Sequence, residues 1–179
     1  MVSDASRSDE ELVTRSRTGD VDSFNQLILR WERPIYALAY RVIGREEEAR
    51  DVVQETFLKL LQHLRGRGET TNLRAWLFTV AANASRDRLR GRRRWLPWQA
   101  EFDERPAPVA AVEYDLKRAD DALRGLAPRD RLLLSLRVHG LSYREIASAA
   151  GIRESSVGRL LARAVGRWKQ RVERLETAR

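Results

Sequence analysis

The 179-residue sequence contains no cysteine and only two histidines, His63 and His139. The first absence excludes disulfides, thiolate metal sites and cysteine nucleophiles, and makes a reducing cytoplasm the simplest compartment. Neither histidine has a second ligand at the spacing of a helical metal site. Glycine-rich loops of the nucleotide-binding type are missing too. We therefore expect a protein that is not an enzyme and that requires neither a metal nor a cofactor.

Long apolar runs are also missing. No uncharged stretch approaches the roughly 18 to 20 residues of a membrane span. The N-terminal sequence MVSDASRSDEELVTR is polar and acidic and lacks the apolar core of a signal peptide. We therefore expect a soluble cytoplasmic protein with no membrane insertion.

Positive charge is abundant, because 34 lysines and arginines against 26 acidic residues give a net charge of +8. A basic field attracts polyanions, so nucleic acid or an anionic membrane surface is the expected partner. The charge is densest in RDRLRGRRRWLPW, from Arg86 to Trp98, which has six arginines among its first nine residues.

The apolar residues recur at helical spacing, and alternating strand patterns are absent, which predicts an all-α protein. Ser8 with Glu11, and Asp20 after Gly19, predict the starts of the first two helices. Pro34 is expected to interrupt or kink the second helix. Further helices are predicted over about 46–64, 73–94, 113–126, 129–138, 142–150 and 155–175.

A change in composition divides the chain into two small helical domains. Between Trp95 and Val112 lie three of the five prolines and the acidic sequence EFDE. These features predict an extended, acidic, proline-containing linker. The predicted boundaries are 1–95 for the first domain, 96–112 for the linker and 113–179 for the second domain.

The most specific motif is LSYREIASAAGIRESSVGRLLARA, residues 141–164. Ser142 and Glu145 form a capping box for a short helix, and Gly151 permits a tight turn into a second helix, which together predict a helix-turn-helix. Its outward face has the short polar groups and guanidinium groups that suit a DNA major groove. These residues are Ser155, Ser156, Arg159, Arg163 and Arg167. The alternative is a helical hairpin with a solvated basic face, and we favour DNA binding.

The predicted helix over 46–64 has acids and amides opposite its apolar side, with a leucine among them. We call this group the docking patch: Asp51, Gln54, Glu55 and Leu58. A lone exposed leucine is ordinary on protein surfaces. One that is flanked by carboxylates and amides is also typical of the centre of a protein interface with a charged rim. Both interpretations stay open.

On the next predicted helix, Trp76, Asn83, Asp87 and Arg90 form a stripe at helical spacing. An indole beside an amide and a guanidinium can stack on exposed bases and hydrogen-bond to them. The alternative is a half-buried tryptophan and a weak Asp87–Arg90 ion pair. By itself the stripe is weak evidence for either.

Taken together, three segments resemble a known family. DVVQETFLKL (51–60), RAWLFTVAANASRDRLR (74–90) and the helix-turn-helix motif resemble, in the same order, the extracytoplasmic-function (ECF) subfamily of the sigma-70 family of bacterial RNA polymerase sigma factors. The resemblance covers nearly the whole chain. It implies a factor that binds core polymerase through the β′ clamp helices and the β flap, recognises promoter DNA and starts transcription without catalysing a reaction.

The resemblance also implies roles for single residues. The docking patch would bind polymerase, and the loop from Arg65 to Asn72 would edge a pocket for a flipped base. Contacts to the promoter −10 element would come from Trp76, Asn83, Arg86, Asp87 and Arg90, with phosphate contacts from Arg92, Arg93 and Arg94. Contacts to the −35 element would come from Ser155, Ser156, Arg159, Arg163 and Arg167. An anti-sigma factor that covers these surfaces is the further partner that the resemblance implies.

Two departures from the family pattern limit these assignments. Where the family's recognition helix usually reads Thr-Val-Lys-Ser-Arg, this chain has SVGRL at 156–160, so a lysine is missing and the basic charge moves by one position. The −35 preference therefore does not follow from the resemblance. The sequence WLPW after the arginines is not a general feature of the family, and its tryptophans, Trp95 and Trp98, have no assigned role.

Two rival functions predict other features. A stand-alone helix-turn-helix regulator would bind duplex DNA without polymerase, usually as a dimer, and the docking patch and the Trp76 stripe argue against it. An RNA-acting enzyme or a membrane-surface protein would need a catalytic set or a wide apolar face, and the sequence offers neither.

Overall fold

The computed structural model describes residues 7–66, 68, 72–91 and 116–177, which form eight α-helices and no strand. The all-α prediction is confirmed. The helices are α1 Asp9–Arg17, α2 Val21–Ile43, α3 Glu46–Arg65, α4 Leu73–Gly91, α5 Leu116–Arg124, α6 Pro128–Val138, α7 Tyr143–Ala150 and α8 Glu154–Thr177.

The predicted helix starts are present in the structure. The Ser8 hydroxyl accepts from the Glu11 amide at 3.2 Å, and the Glu11 carboxylate accepts from the Ser8 amide at 3.0 Å. The Asp20 carboxylate caps α2 by accepting from the Ser23 amide at 3.1 Å. Each cap satisfies amides that have no partner inside the helix.

Pro34 lies inside α2, which continues through it, so the expected interruption is wrong and the kink stays a prediction. Proline removes one amide donor and crowds the preceding turn, a local cost of about 3 kcal/mol in a helix interior. Leu27, Ile35 and Leu38 on the same helix are fully buried. Burying side chains of this size is worth about 1.5–3 kcal/mol each, which outweighs the proline penalty.

The first four helices pack mainly around α2, which contacts α1, α3 and α4. In the second group α8 packs against α5, α6 and α7. Here Ser142 and Glu145 form the predicted capping box, and Gly151 ends α7 in the left-handed conformation with φ 69°. The predicted helix-turn-helix is therefore present in the structure.

The two groups also pack against each other, through α2 with α6 and α4 with α7. We call these two helix pairs the interdomain contact. At its centre His139 stacks on Phe78 with ring centroids 4.5 Å apart. Burial, together with the charges of Arg41 and Arg74, lowers the pKa of His139.

Hydrogen bonds cross the same contact. The Asn72 amide donates to the Glu145 carboxylate at 2.7 Å, and the Arg131 guanidinium donates to the Val42 carbonyl at 3.0 Å. The sequence motifs described each domain separately and did not predict this packing. Its partners lie 73 and 89 residues apart in the chain, beyond the reach of helical periodicity.

The α2 cap gives a test by pH. Hydrogen bonds from the Ser23 amide, from Arg15 and from the Ser23 hydroxyl lower the pKa of Asp20 from 3.8 to about 2. The folded-state pKa lies below the unfolded value, so the charged cap stabilises fully above about pH 4 and is lost as the pH falls through about 2.

Asparagine keeps the cap but does not titrate. We therefore expect the difference in melting temperature between wild type and Asp20→Asn to shrink between about pH 4 and pH 2, measured by circular dichroism. A difference that stays constant over this interval would contradict the assignment.

Candidate nucleic-acid interface

The docking patch lies on α3, on the side away from the core. Asp51 and Gln54 are exposed, and Leu58 is 60% exposed. The buried side of the same helix includes Val52, which the sequence pattern did not single out. The four predicted residues therefore share one surface, with an apolar side chain among polar ones.

Glu55 is the anchored member of the patch. Its carboxylate accepts from the Lys59 ammonium at 2.6 Å and from the Arg88 guanidinium at 2.9 Å. Partial burial would raise the pKa of Glu55, but these hydrogen bonds and charges outweigh it and the pKa lies below its usual value. Glu55 is thus a fixed anion at the junction of α3 and α4. The i,i+4 spacing indicates its pairing with Lys59. Arg88 lies 33 residues away, so helical spacing does not indicate that contact.

The Trp76 stripe is only partly a free surface. Trp76 is half-buried, and its ring lies 5.0 Å from that of His63. The Gly68 amide donates to the His63 carbonyl at 3.0 Å, and a Cβ at Gly68 would overlap the His63 ring. His63, Gly68 and Trp76 therefore form an aromatic corner beside the loop predicted to edge a base pocket. Sequence spacing had tested His63 only as a metal ligand.

Further along α4, Asn83 is half-buried, and Asp87 and Arg90 are exposed. Arg90 lies 3.6 Å from Asp87, at i,i+3 spacing. The alternative interpretation of the stripe expected a half-buried tryptophan and this ion pair, and both are present. The Asn83 amide, the Asp87 carboxylate and the Arg90 guanidinium nevertheless lie along one side of the helix.

Arg86 departs from the expectation that it lies on the promoter-facing surface. Its guanidinium donates to the Ala149 carbonyl of α7 at 3.0 Å and approaches Gly151 closely. Burial, and the nearby charge of Arg90, lower the pKa of Arg86. The structure therefore places the Arg86 guanidinium against α7, inside the interdomain contact.

Part of the predicted surface lies outside the described residues. This applies to Arg92, Arg93 and Arg94, to Trp95 and Trp98, and to the predicted linker over 96–112. Most of the loop between Arg65 and Asn72 is also outside, with Gly66 and Gly68 described.

On α8, the predicted inward and outward faces are observed. Val157, Leu161 and Ala164 are buried. Ser155 and Arg159 are exposed, and Ser156 and Arg163 are half-buried. The N-terminal half of the helix therefore presents hydroxyl and guanidinium groups, as a helix in a major groove would.

Arg167 is exposed, as the outward assignment expects, and it also pairs with an acid on another helix. Its guanidinium makes two hydrogen bonds to the Asp130 carboxylate, at 2.7 and 3.1 Å. Asp130 is 2% exposed, and a buried carboxylate needs such a partner because the charge has lost its hydration. Arg167 thus joins α8 to α6. Periodicity placed it correctly on the helix but could not reveal an acid 37 residues away.

Two absences apply to the described residues alone. They contain no cluster of histidine, aspartate or glutamate that could hold a metal ion. Within the same ranges, no helix is long and apolar enough to cross a bilayer.

Family models match both groups of helices. Residues 27–95 match the model described as Sigma-70 region 2, and residues 116–167 match the model described as Sigma-70, region 4. The first match contains the docking patch and the Trp76 stripe, and the second contains the helix-turn-helix.

Curated relatives agree with these matches. RNA polymerase sigma factor CarQ of Myxococcus xanthus is 37% identical over 145 residues, 77% of this chain and 82% of that protein. ECF RNA polymerase sigma factor BldN of Streptomyces coelicolor is 32% identical over 169 residues, 87% of this chain and 62% of that protein. The chain thus spans most of CarQ and about three fifths of BldN.

Solved structures show the same fold. A structure of CnrH in complex with the cytosolic domain of CnrY aligns with a TM-score of 0.65 at 23% identity, covering 92% of this chain and 97% of that one. The sigma factor RpoE in complex with the anti-sigma factor NepR from Bartonella quintana aligns with a TM-score of 0.61 at 28% identity, covering 84% and 96%. With both sigma regions in order and a relative as similar as CarQ, the chain belongs to the ECF subfamily of sigma-70 RNA polymerase sigma factors, which direct transcription initiation and are not enzymes.

Proposed function

We propose a division of labour between the two halves of this sigma factor. Residues 1–95 bind core polymerase at the β′ clamp helices and open the −10 element, and residues 113–179 bind the β flap and read the −35 element. Residues 96–112 link the two halves in the cytoplasm, where polymerase acts. The observation that carries the proposal is the presence of two unlike surfaces on one chain. The docking patch surrounds exposed Leu58, and α8 presents Ser155 and Arg159.

The α4 surface supports the melting role. Unstacking a base-pair step costs about 1.4 kcal/mol on average, so an opened promoter needs compensating contacts. The His63–Trp76 corner offers aromatic surface to an extruded base, and Asn83 offers an amide donor and acceptor nearby. Arg92, Arg93 and Arg94 would add phosphate contacts without sequence preference.

An anti-sigma factor is the proposed regulatory partner. The similar structures of RpoE and CnrH are both complexes, and the partner of RpoE is the anti-sigma factor NepR. In this chain the surfaces to be covered are the docking patch and the outward face of α8. A stand-alone regulator remains the rival function, and it would bind duplex DNA tightly without polymerase and would not initiate.

The docking patch is tested by Leu58→Glu. A carboxylate at an exposed position leaves the fold intact but places charge at the centre of the interface. We expect affinity for core polymerase to fall at least about 10-fold, ~1.4 kcal/mol, in a binding titration.

Leu29→Glu is the matched control, because Leu29 is a leucine on α2 that is 70% exposed and lies outside the patch. It should bind polymerase as wild type does. Equal losses in the two variants would remove the docking patch from the proposal.

The melting surface is tested by Asn83→Ala. We expect roughly 10-fold less open complex, the ~1.4 kcal/mol of one polar contact, with core binding unchanged. Permanganate reactivity of unpaired thymines measures the opening. A promoter with a pre-melted −10 segment distinguishes a role of Asn83 in opening from a role in base recognition. If the variant then forms wild-type amounts of open complex, Asn83 acts in opening, and if the defect persists, it acts in base recognition. Wild-type opening on the duplex would contradict both.

Arg86 contacts the promoter, on this proposal, only after α4 and α7 separate. The test joins Asn72→Cys to Glu145→Cys with a short bifunctional maleimide, since the native chain has no other thiol. Both replaced side chains also cap helices, so the comparison is the same double variant with and without the cross-link.

We expect the cross-link to abolish promoter-dependent transcription with core polymerase. A matched pair within α3, Glu46→Cys with Arg50→Cys, should tolerate the same reagent, because both positions are exposed on one helix. Full transcription from the cross-linked interdomain pair would show that Arg86 serves the interdomain contact and not the DNA.

A further inference from the structure

Gly158 lies in the recognition helix α8, where the chain departs from the family pattern. Glycine inside a helix is unfavourable relative to alanine, because it has more conformational freedom to lose. Its backbone is in the ordinary helical range, whereas Gly151 and Gly140 have positive φ. Backbone conformation therefore does not require a glycine at position 158.

The neighbour of Gly158 supplies a reason. A Cβ at this position would lie 3.3 Å from Cε2 and 3.9 Å from the hydroxyl oxygen of Tyr143, the first residue of α7. The first distance is tighter than ordinary van der Waals contact, so a Cβ would shift the ring by a few tenths of an ångström. The glycine lets the Tyr143 ring lie against the recognition helix.

The Tyr143 ring packs against its neighbours, but its hydroxyl is still available for hydrogen bonding. The Arg137 guanidinium carbon lies 5.6 Å from the ring centroid, and Arg137 itself donates to the Leu141 carbonyl at 3.2 Å. The residue is 45% exposed. Within the described part of the chain, its hydroxyl makes no hydrogen bond, so it can donate to a ligand.

The position of Tyr143 identifies that ligand. When the second helix of a helix-turn-helix lies in the major groove, the first helix crosses the phosphate backbone. Tyr143 begins this first helix and lies beside the N-terminal turns of α8, which hold Ser155 and Arg159. A tyrosine hydroxyl at this position suits a phosphate oxygen, a group that tyrosine commonly contacts in DNA complexes.

We propose that Tyr143 is a DNA-contacting residue of the −35 surface and that Gly158 is its positioning residue. The phenol hydroxyl donates a hydrogen bond to a backbone phosphate and occupies the side of the recognition helix where this chain has no side chain of its own. The inference rests on the proposed reading of the −35 element by α8.

The test is a double-mutant cycle in the full chain bound to core polymerase. The probe is the −35 duplex that wild-type holoenzyme selects from a random library placed upstream of a fixed −10 segment. Tyr143→Phe should lower affinity about 3- to 10-fold, the range of one hydrogen bond. It should leave the salt slope unchanged, because no cation is removed.

Gly158→Ala should give a similar loss when Tyr143 is present and no further loss in a Tyr143→Ala background. Alanine favours the helix, so the loss of affinity should occur with an unchanged or higher melting temperature, which excludes misfolding as its cause. Gly166→Ala on the same helix is the control, because a Cβ there would meet no atom within 4 Å. It should bind DNA as wild type does.

Arg163→Ala separates this inference from the proposed function. Loss of affinity in Arg163→Ala with wild-type binding in Tyr143→Phe and Gly158→Ala would overturn the inference alone. Wild-type binding in all three variants would overturn −35 reading by this face of α8. Additive losses in the cycle would show that Gly158 does not act through Tyr143.

Discussion

Phe78 joins the two helical groups into one apolar core, and the arrangement of every candidate surface depends on it. The ring is fully buried. It packs edge-on against Trp31 within the first group, with centroids 6.2 Å apart, and it stacks on His139 of the second group at 4.5 Å. A side chain of this size contributes about 1.5–3 kcal/mol when buried. The same burial fixes which face of α4 meets α7 and therefore which of its arginines are covered.

The interdomain contact contains buried polar atoms that lack a hydrogen-bond partner in the described structure. Nε of Arg86, Nε of Arg131 and Nε2 of His139 are buried there without a hydrogen-bond partner. Each of these atoms loses its hydration on folding and forms no hydrogen bond in exchange, which costs free energy. A contact of this composition is weaker than an apolar interface of equal area.

Local sequence signals were sufficient to predict local structure. Ser8 with Glu11 and Ser142 with Glu145 need only residues three apart, and Gly151 needs only its own φ, so the helix starts and the helix-turn-helix were predictable. Pro34 does not end α2, because burial on both sides of it outweighs the local penalty. The order of motifs along the chain supplied the family, since it needs no three-dimensional information.

Arginine roles were the part that sequence could not resolve. Arg86 was assigned to DNA by the family resemblance and Arg167 by its position on the helix, yet one donates to the Ala149 carbonyl and the other to the Asp130 carboxylate. An arginine on an exposed face is equally suited to a phosphate, a carboxylate or a carbonyl. The choice depends on which acceptor the tertiary fold brings near, and here both acceptors come from distant helices. Net positive charge therefore overstates the number of arginines available to DNA.

The pairing of arginines with protein acceptors matters most for the recognition helix. With glycine at position 158, the polar residues on the outward side of α8 are Ser155, Ser156, Arg159, Arg163 and Arg167, and Arg167 is also paired with Asp130. A helix with so few donors holds its register in the groove poorly unless neighbouring elements grip the phosphates, since phosphate contacts fix orientation and base contacts add specificity. The first turn of α7 lies against this helix, because the Tyr143 ring is 3.3 Å from where a Cβ of residue 158 would be. A narrow recognition helix and an exposed tyrosine packed against its glycine are thus two consequences of the same substitution pattern at 156–160.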